Sequence, residues 1–297
     1  MITIPFGIRY SIICIVRYLT QAIAIINIAG NNKIYDKIIS SDGTTLAYER
    51  VGSGSALILV HGTGADHTRW ASILPRLADR FKIFSIDRRG RGASGDSEQY
   101  SIQQEYKDIA TIAASLHEPV DILGHSFGAA VVLGAAHMIP NLRRLILYEP
   151  PMVREQHNPF RLELIRRMEV ALENGDREAV VLILLNEMLH VPLVAIDMMR
   201  ATPAWVGQVA AAHTIPRELR VSDAYGQEPE SLKAIRAQTL FLVGSESLES
   251  FKATTEALLG LLPNSQRQIL PGQQHSAMLT APELFASEVS RFLLASE

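Results

Sequence analysis

Apolar residues recur along this chain with two periods, and the points where the period changes mark out its elements. From Tyr35 onward, IYDKIIS, TLAYER and ALILVHG are short runs rich in β-branched and aliphatic residues, separated by SDG and GSGS, whose residues favour turns. They predict strands. HTRWASILPRLADR then carries helical spacing, KIFSID is a strand, SIQQEYKDIATIAASLH is helical, PVDILG is a strand and FGAAVVLGAAHMIP is an apolar helix. RRLILYEPP, QTLFLVG and RQILPG are again strand-like, and a helix is expected from Pro282 to Leu294. Strands alternating with helices predict an α/β protein with a mostly parallel sheet covered on both faces.

The alternation stops between Pro151 and Ala237. There RLELIRRMEVALENG, DREAVVLILLNEMLH and VPLVAIDMMR read as consecutive helices, so residues 151–237 form a helical insertion, a cap, on a core made of residues 35–150 and 238–297. Met188, Met198, Met199 and Trp205 are candidates for an apolar pocket, since Met adapts to irregular surfaces, but the same spacing serves an ordinary helix core.

Residues 1–34 have another texture. MITIPFGIRYSIICIVRYLTQAIAIINIAG is rich in Ile, and only Arg9 and Arg17 are charged. A signal peptide carries its positive charge ahead of an unbroken apolar stretch, whereas Arg17 interrupts this one, and Tyr18 to Gly30 is short for a membrane span. The segment is expected to be an appendage upstream of the domain. Export, or attachment to a membrane surface through residues 1–30, is the alternative.

Composition narrows the partners. A chain of 297 residues, 47% hydrophobic and 20% charged, has the apolar material for one large core with an inserted subdomain. A net charge of -3 gives no broad attraction to a polyanion, so nucleic acid is excluded as a first choice and a small neutral or weakly charged molecule is favoured. Cys14 is the only cysteine, which rules out an intrachain disulfide and a cysteine metal cluster. No cofactor and no metal are expected, and the expected location is the cytoplasm.

The chemistry concentrates in PVDILGHSFGAAVVLGAAH, where a strand gives way to Gly124-His125-Ser126-Phe127-Gly128 and a helix follows at once. A nucleophilic serine must stand proud of a sheet on a sharp turn, and small residues two before and two after it let strand and helix approach. Ser126 is therefore the candidate nucleophile. With this elbow in place the chain resembles the α/β-hydrolases from about Tyr35 onward, and three further stretches match. Val60-His61-Gly62-Thr63-Gly64 resembles the loop after the third strand, which implies an oxyanion hole made by the N–H groups of Thr63 and Phe127. Asp87-Arg88-Arg89-Gly90-Arg91-Gly92-Ala93-Ser94 resembles a bracing loop near the elbow. Leu270-Pro271-Gly272-Gln273-Gln274-His275 resembles the loop that delivers the catalytic histidine, which makes His275 the implied base.

The resemblance implies an α/β-hydrolase fold, with the cap inserted before the penultimate strand, and a serine hydrolase acting on carboxylic esters through an acyl-enzyme without a cofactor. Perhydrolase or cofactor-free haloperoxidase-like chemistry, lactone opening and C–C bond hydrolysis share the same equipment. A ligand receptor on the same fold is the alternative of another class. Haloalkane dehalogenases and epoxide hydrolases are excluded, because both need an aspartate where Ser126 stands.

One member of the set is displaced. The family's usual acid lies about three residues beyond the glycine of the strand QTLFLVG, and that position holds Ser247. Glu246 is adjacent, but neighbouring residues of an extended segment point to opposite faces. A family variation places the acid after the preceding strand, where RLILYEP supplies Glu149. Glu149 is the favoured acid and Glu246 the alternative.

Overall fold

In the computed structural model, which describes residues 35–151, 159–222 and 229–295, the predicted strands pair into one sheet. They are β1 (Asp36–Ile39), β2 (Thr45–Val51), β3 (Ser55–Val60), β4 (Phe81–Asp87), β5 (Val120–His125), β6 (Leu142–Tyr148), β7 (Gln238–Gly244) and β8 (Ser265–Leu270). Their order is β1-β2-β4-β3-β5-β6-β7-β8, with β2 antiparallel to both of its neighbours and all other pairs parallel.

The helices of the first half are α1 (Leu74–Leu77), α2 (Ile102–Ser115) and α3 (Phe127–Ala135). Period-2 alternation divides the central strands between two cores. Ile58, Ile122 and Leu145 pack with residues of α2 and α3, whereas Leu57, Leu59, Leu123 and Ile146 pack with Trp70, Phe285 and Val289 on the other face. Ser101 and Gln104 form a capping box at the start of α2, which satisfies two of the N–H groups that a helix start leaves open.

One predicted helix is broken. HTRWASILPRLADR forms a short 3-10 turn at His67–Trp70, capped by Asp66, and then α1. Pro75 explains the break, because it has no N–H to give to the carbonyl four residues back.

Among the described residues, six α-helices lie between β6 and β7: α4 (Pro159–Glu173), α5 (Arg177–Leu182), α6 (Leu193–Arg200), α7 (Pro203–Ala210), α8 (Thr214–Ser222) and α9 (Pro229–Lys233). Only the first three correspond to helices expected from spacing, and the second runs on into a π-turn at Ile183–Met188. The insertion has a core of its own in which Leu164, Ile165, Val181, Ile196, Trp205 and Ile215 are buried, with Met188 and Met199 packed against it. Those two methionines and Trp205 therefore serve as ordinary core. The chain closes with α10 (Glu249–Leu259), α11 (Ala277–Thr280) and α12 (Pro282–Leu293). None of the described helices is long and apolar enough to cross a membrane, and residues 1–34 lie outside the described residues.

Buried charge seats the insertion on the core. Arg88 donates from Nε and an NH2 group to Glu105 at 2.7 Å each, and reaches Glu218 of α8 at 2.5 Å; Arg91 also pairs with Glu218. The Arg88 guanidinium lies 4.9 Å from the centre of the Phe127 ring, at the start of α3. Asp87 accepts the N–H groups of His67 at 2.9 Å and Ala93 at 2.8 Å. The Asp87–Ser94 loop is thus a brace, and it ties the elbow region to the insertion.

Candidate active site

The elbow meets the steric demand that the sequence implies. Ser126 has φ 53° and ψ −125°, a left-handed conformation costly for any residue but glycine, as its position between β5 and α3 requires. Gly124 and Gly128 permit it. A Cβ on Gly128 would lie 2.4 Å from the carbonyl oxygens of both Val60 and His61, and one on Gly124 would lie 2.6 Å from Cα of Ala129. The loop after β3 crosses immediately beside the serine, since a Cβ on Gly62 would stand 2.9 Å from Cβ of Ser126. Thr63 follows in that loop, and Phe127 opens α3, so its N–H is among the donors a helix start leaves without an intrahelical acceptor.

His275 stands beside the elbow. The His125 ring lies 4.6 Å from the His275 ring between centroids, and His125 Nε2 donates to the His275 carbonyl at 2.9 Å. That bond leaves His125 Nδ1 buried without a partner. Burial above all, then the neighbouring His275, holds His125 well below the usual histidine range, so it is a neutral support. Tyr148 fixes the same loop twice, donating to the Gln274 carbonyl and accepting from Ala277 N–H at 3.0 Å. His61 donates from Nδ1 to Gly62 O at 2.8 Å and accepts Arg88 N–H at 3.2 Å, a scaffold role that its buried, neutral state suits.

The contacts of the two candidate acids differ. His275 Nδ1 donates to Glu149 Oε2 at 2.6 Å, which leaves Nε2 as the lone-pair nitrogen. Oε1 of Glu149 accepts from Gly244 N–H at 2.8 Å and from the Ser247 hydroxyl. Glu149 is fully buried and has φ 48°, a second left-handed residue at the end of a strand. Glu246 is exposed, and its partner is the Ser245 hydroxyl at 3.2 Å. Ser247, at the position where an acid is first expected from the sequence, thus donates to the glutamate that meets His275. Of the two links a serine–histidine–acid relay needs, the histidine–acid bond is formed; no hydrogen bond joins Ser126 to His275 among the described residues.

The sequence does not point to Tyr148, or to Phe251, whose ring stacks on His275. Leu184 and Ile215 of the insertion reach the loop after β3, each 3.5 Å from where a Cβ on Gly64 would be.

Although no ligand cluster is legible in the sequence, the fold gathers one group of metal-ligating types among the described residues. The ligand atoms of Asp66, His67 and Asp87 lie within 4.8 Å of one another. They are already engaged: His67 Nδ1 with Asp87 at 2.7 Å, His67 Nε2 with the Tyr35 hydroxyl at 3.3 Å, and Asp66 with Thr68 N–H at 2.9 Å.

Residues 57–288 match the model described as the alpha/beta hydrolase family. The chain belongs to that family. This α/β hydrolase is similar to an alpha/beta hydrolase of Sphaerobacter thermophilus, at 31% identity and a TM-score of 0.77, over 87% of this chain and 100% of the other. A thermophilic esterase of Thermogutta terrifontis shares the fold at 23% identity and a TM-score of 0.69, over 88% of this hydrolase and 98% of the esterase. N-formylmaleamate deformylase of Pseudomonas putida is 32% identical over 163 residues, 51% of this hydrolase and 59% of the deformylase.

Proposed function

We propose that this hydrolase cleaves carboxylic esters, or a closely related acyl bond, through an acyl-enzyme on Ser126. The observation that carries the proposal is the 2.6 Å hydrogen bond from His275 Nδ1 to buried Glu149, beside a serine in a strained elbow. With Nδ1 committed to the carboxylate, Nε2 is the nitrogen that takes the Ser126 proton as Oγ bonds to the acyl carbon. The N–H groups of Thr63 and Phe127 receive the developing oxyanion. The tetrahedral adduct collapses by losing the alcohol, which His275 protonates. A water molecule then gives its proton to His275, attacks the acyl carbon and releases the acid, restoring Ser126.

The insertion acts as a cap over the acyl group, with Leu184 and Ile215, which reach the loop after β3, placed to meet it. The similarity to a deformylase supports extending the test beyond esters to N-formyl amides, and the shared equipment extends it to lactones and peracid formation. The reactions use only the chain's own groups, and turnover is expected without added cofactor.

A fluorophosphonate probe is expected to label the full chain and to leave Ser126→Ala unlabelled, and the purified chain is expected to turn over short p-nitrophenyl esters. Labelling without turnover of any of these substrates would favour a receptor on the hydrolase fold. Absence of labelling would overturn the proposal.

A further inference from the structure

The base of the proposed relay is held by more than its acid. The Phe251 ring lies parallel to the His275 imidazole, with centroids 4.2 Å apart and an interplanar angle of 11°. Phe251 belongs to the first turn of α10, four residues beyond Ser247 in the sequence, and is 8% exposed. The loop that carries Ser247 in place of an acid thus leads directly into the helix that covers the histidine.

A parallel stack of this kind responds to charge. Neutral rings accept it in the offset form. A cationic ring over an aromatic face is attracted in addition by the ring quadrupole. The contact between Phe251 and His275 is therefore one that strengthens when the imidazole takes up a proton. Of the other rings beside His275, Tyr148 carries no positive charge and His125 is kept neutral, so neither brings a competing cation.

We propose that Phe251 is a positioning residue for His275, holding the imidazole in the plane that presents Nδ1 to Glu149 and lowering the cost of the imidazolium that forms when Ser126 gives up its proton. This rests on the ester-hydrolase reading for its catalytic consequence, but not for its effect on the histidine itself.

Two variants separate the aromatic face from mere bulk. Phe251→Leu keeps an apolar cover and removes the face, and Phe251→Tyr keeps the face. With p-nitrophenyl acetate, Phe251→Leu is expected to lose about 3- to 30-fold in kcat with KM within about twofold. The acid limb of its kcat/KM profile should move to lower pH, because the protonated ring has lost support. Phe251→Tyr should stay within about threefold of the parent chain. Equal losses in both variants, or an unmoved acid limb in Phe251→Leu, would overturn the proposal. Should Phe251→Leu melt below assay temperature, Phe251→Met makes the same comparison.

A nitrogen-15 NMR titration of the His275 ring in Ser126→Ala, with and without Phe251→Leu, needs no turnover. A lower histidine pKa in the Leu variant supports the proposal, and an unchanged or higher one overturns it. If the parent chain takes no fluorophosphonate, the ester reading fails, and this titration still decides the role of Phe251.

Discussion

Glu149 and Glu218 are both fully buried glutamates, and they are partnered in opposite ways. Glu218 lies against the permanent cations Arg88 and Arg91, in the brace that joins insertion to core. Glu149 is held by a serine hydroxyl, a backbone N–H and an imidazole N–H. A permanent guanidinium would satisfy Glu149 equally well and would occupy the place where charge appears in the proposed turnover. Neutral donors hold one oxygen and leave the other to a ring whose charge comes and goes. A buried carboxylate thus reveals its task by its partners: fixed cations where it holds parts together, neutral donors where it waits for a transient charge.

The sharpest way to break this comparison is at Glu149. Glu149→Gln is expected to lower kcat by about 10³- to 10⁴-fold, the size seen when a triad acid loses its charge, while far-UV circular dichroism and melting stay close to the parent. Glu246→Gln should change kcat by less than about twofold. The reverse pattern would make Glu246 the acid.

The next effect in size belongs to the brace. Glu218→Gln leaves two buried guanidiniums without their shared carboxylate, and urea unfolding is expected to show a loss of about 3–5 kcal/mol. Its kcat, measured below the melting range, should fall far less than that of Glu149→Gln. A loss under about 1 kcal/mol would mean that Glu105 alone suffices for both arginines.

The smallest of the three sharpens the site. Ser247→Ala removes a hydroxyl donor from a buried carboxylate, which costs about 1–3 kcal/mol when the acceptor is left short of partners. Part of that should appear as lower stability in urea and part as a kcat reduced by about tenfold or less. No change in either would show that Gly244 N–H and His275 hold Glu149 without help.

Much of this arrangement is legible in the sequence. The central strands announce themselves because both faces are buried, so Leu57 through Val60 form an unbroken apolar run. The elbow is legible because close approach of strand and helix admits only glycine at positions 124 and 128. Glu149 was legible through a gap: an uncharged residue at the usual acid position, and a glutamate at the end of the neighbouring strand. What escaped depends on distance in sequence. The pairing of Glu218 with Arg88 spans 130 residues, and nothing local to either residue announces it. Phe251 over His275 is equally silent, since a single aromatic in a helix has the same pattern whether it covers a core or a catalytic ring. The short helices α7 and α8 are not announced, because Gly207 lies within one and Pro216 within the first turn of the other, and both residue types read as breaks.

The long reach of the brace also has a consequence in time. Arg88 and Arg91 sit on one short loop, and their shared partner Glu218 follows 130 and 127 residues later. At about 5–20 residues per second, a ribosome takes on the order of ten seconds to make that stretch. Until it emerges, burying both guanidiniums with only Glu105 to meet them is unfavourable, and the loop beside the elbow has reason to stay hydrated. The first half of the sheet can therefore form early during synthesis, while the environment of Ser126 is completed only after the insertion has been translated and docked.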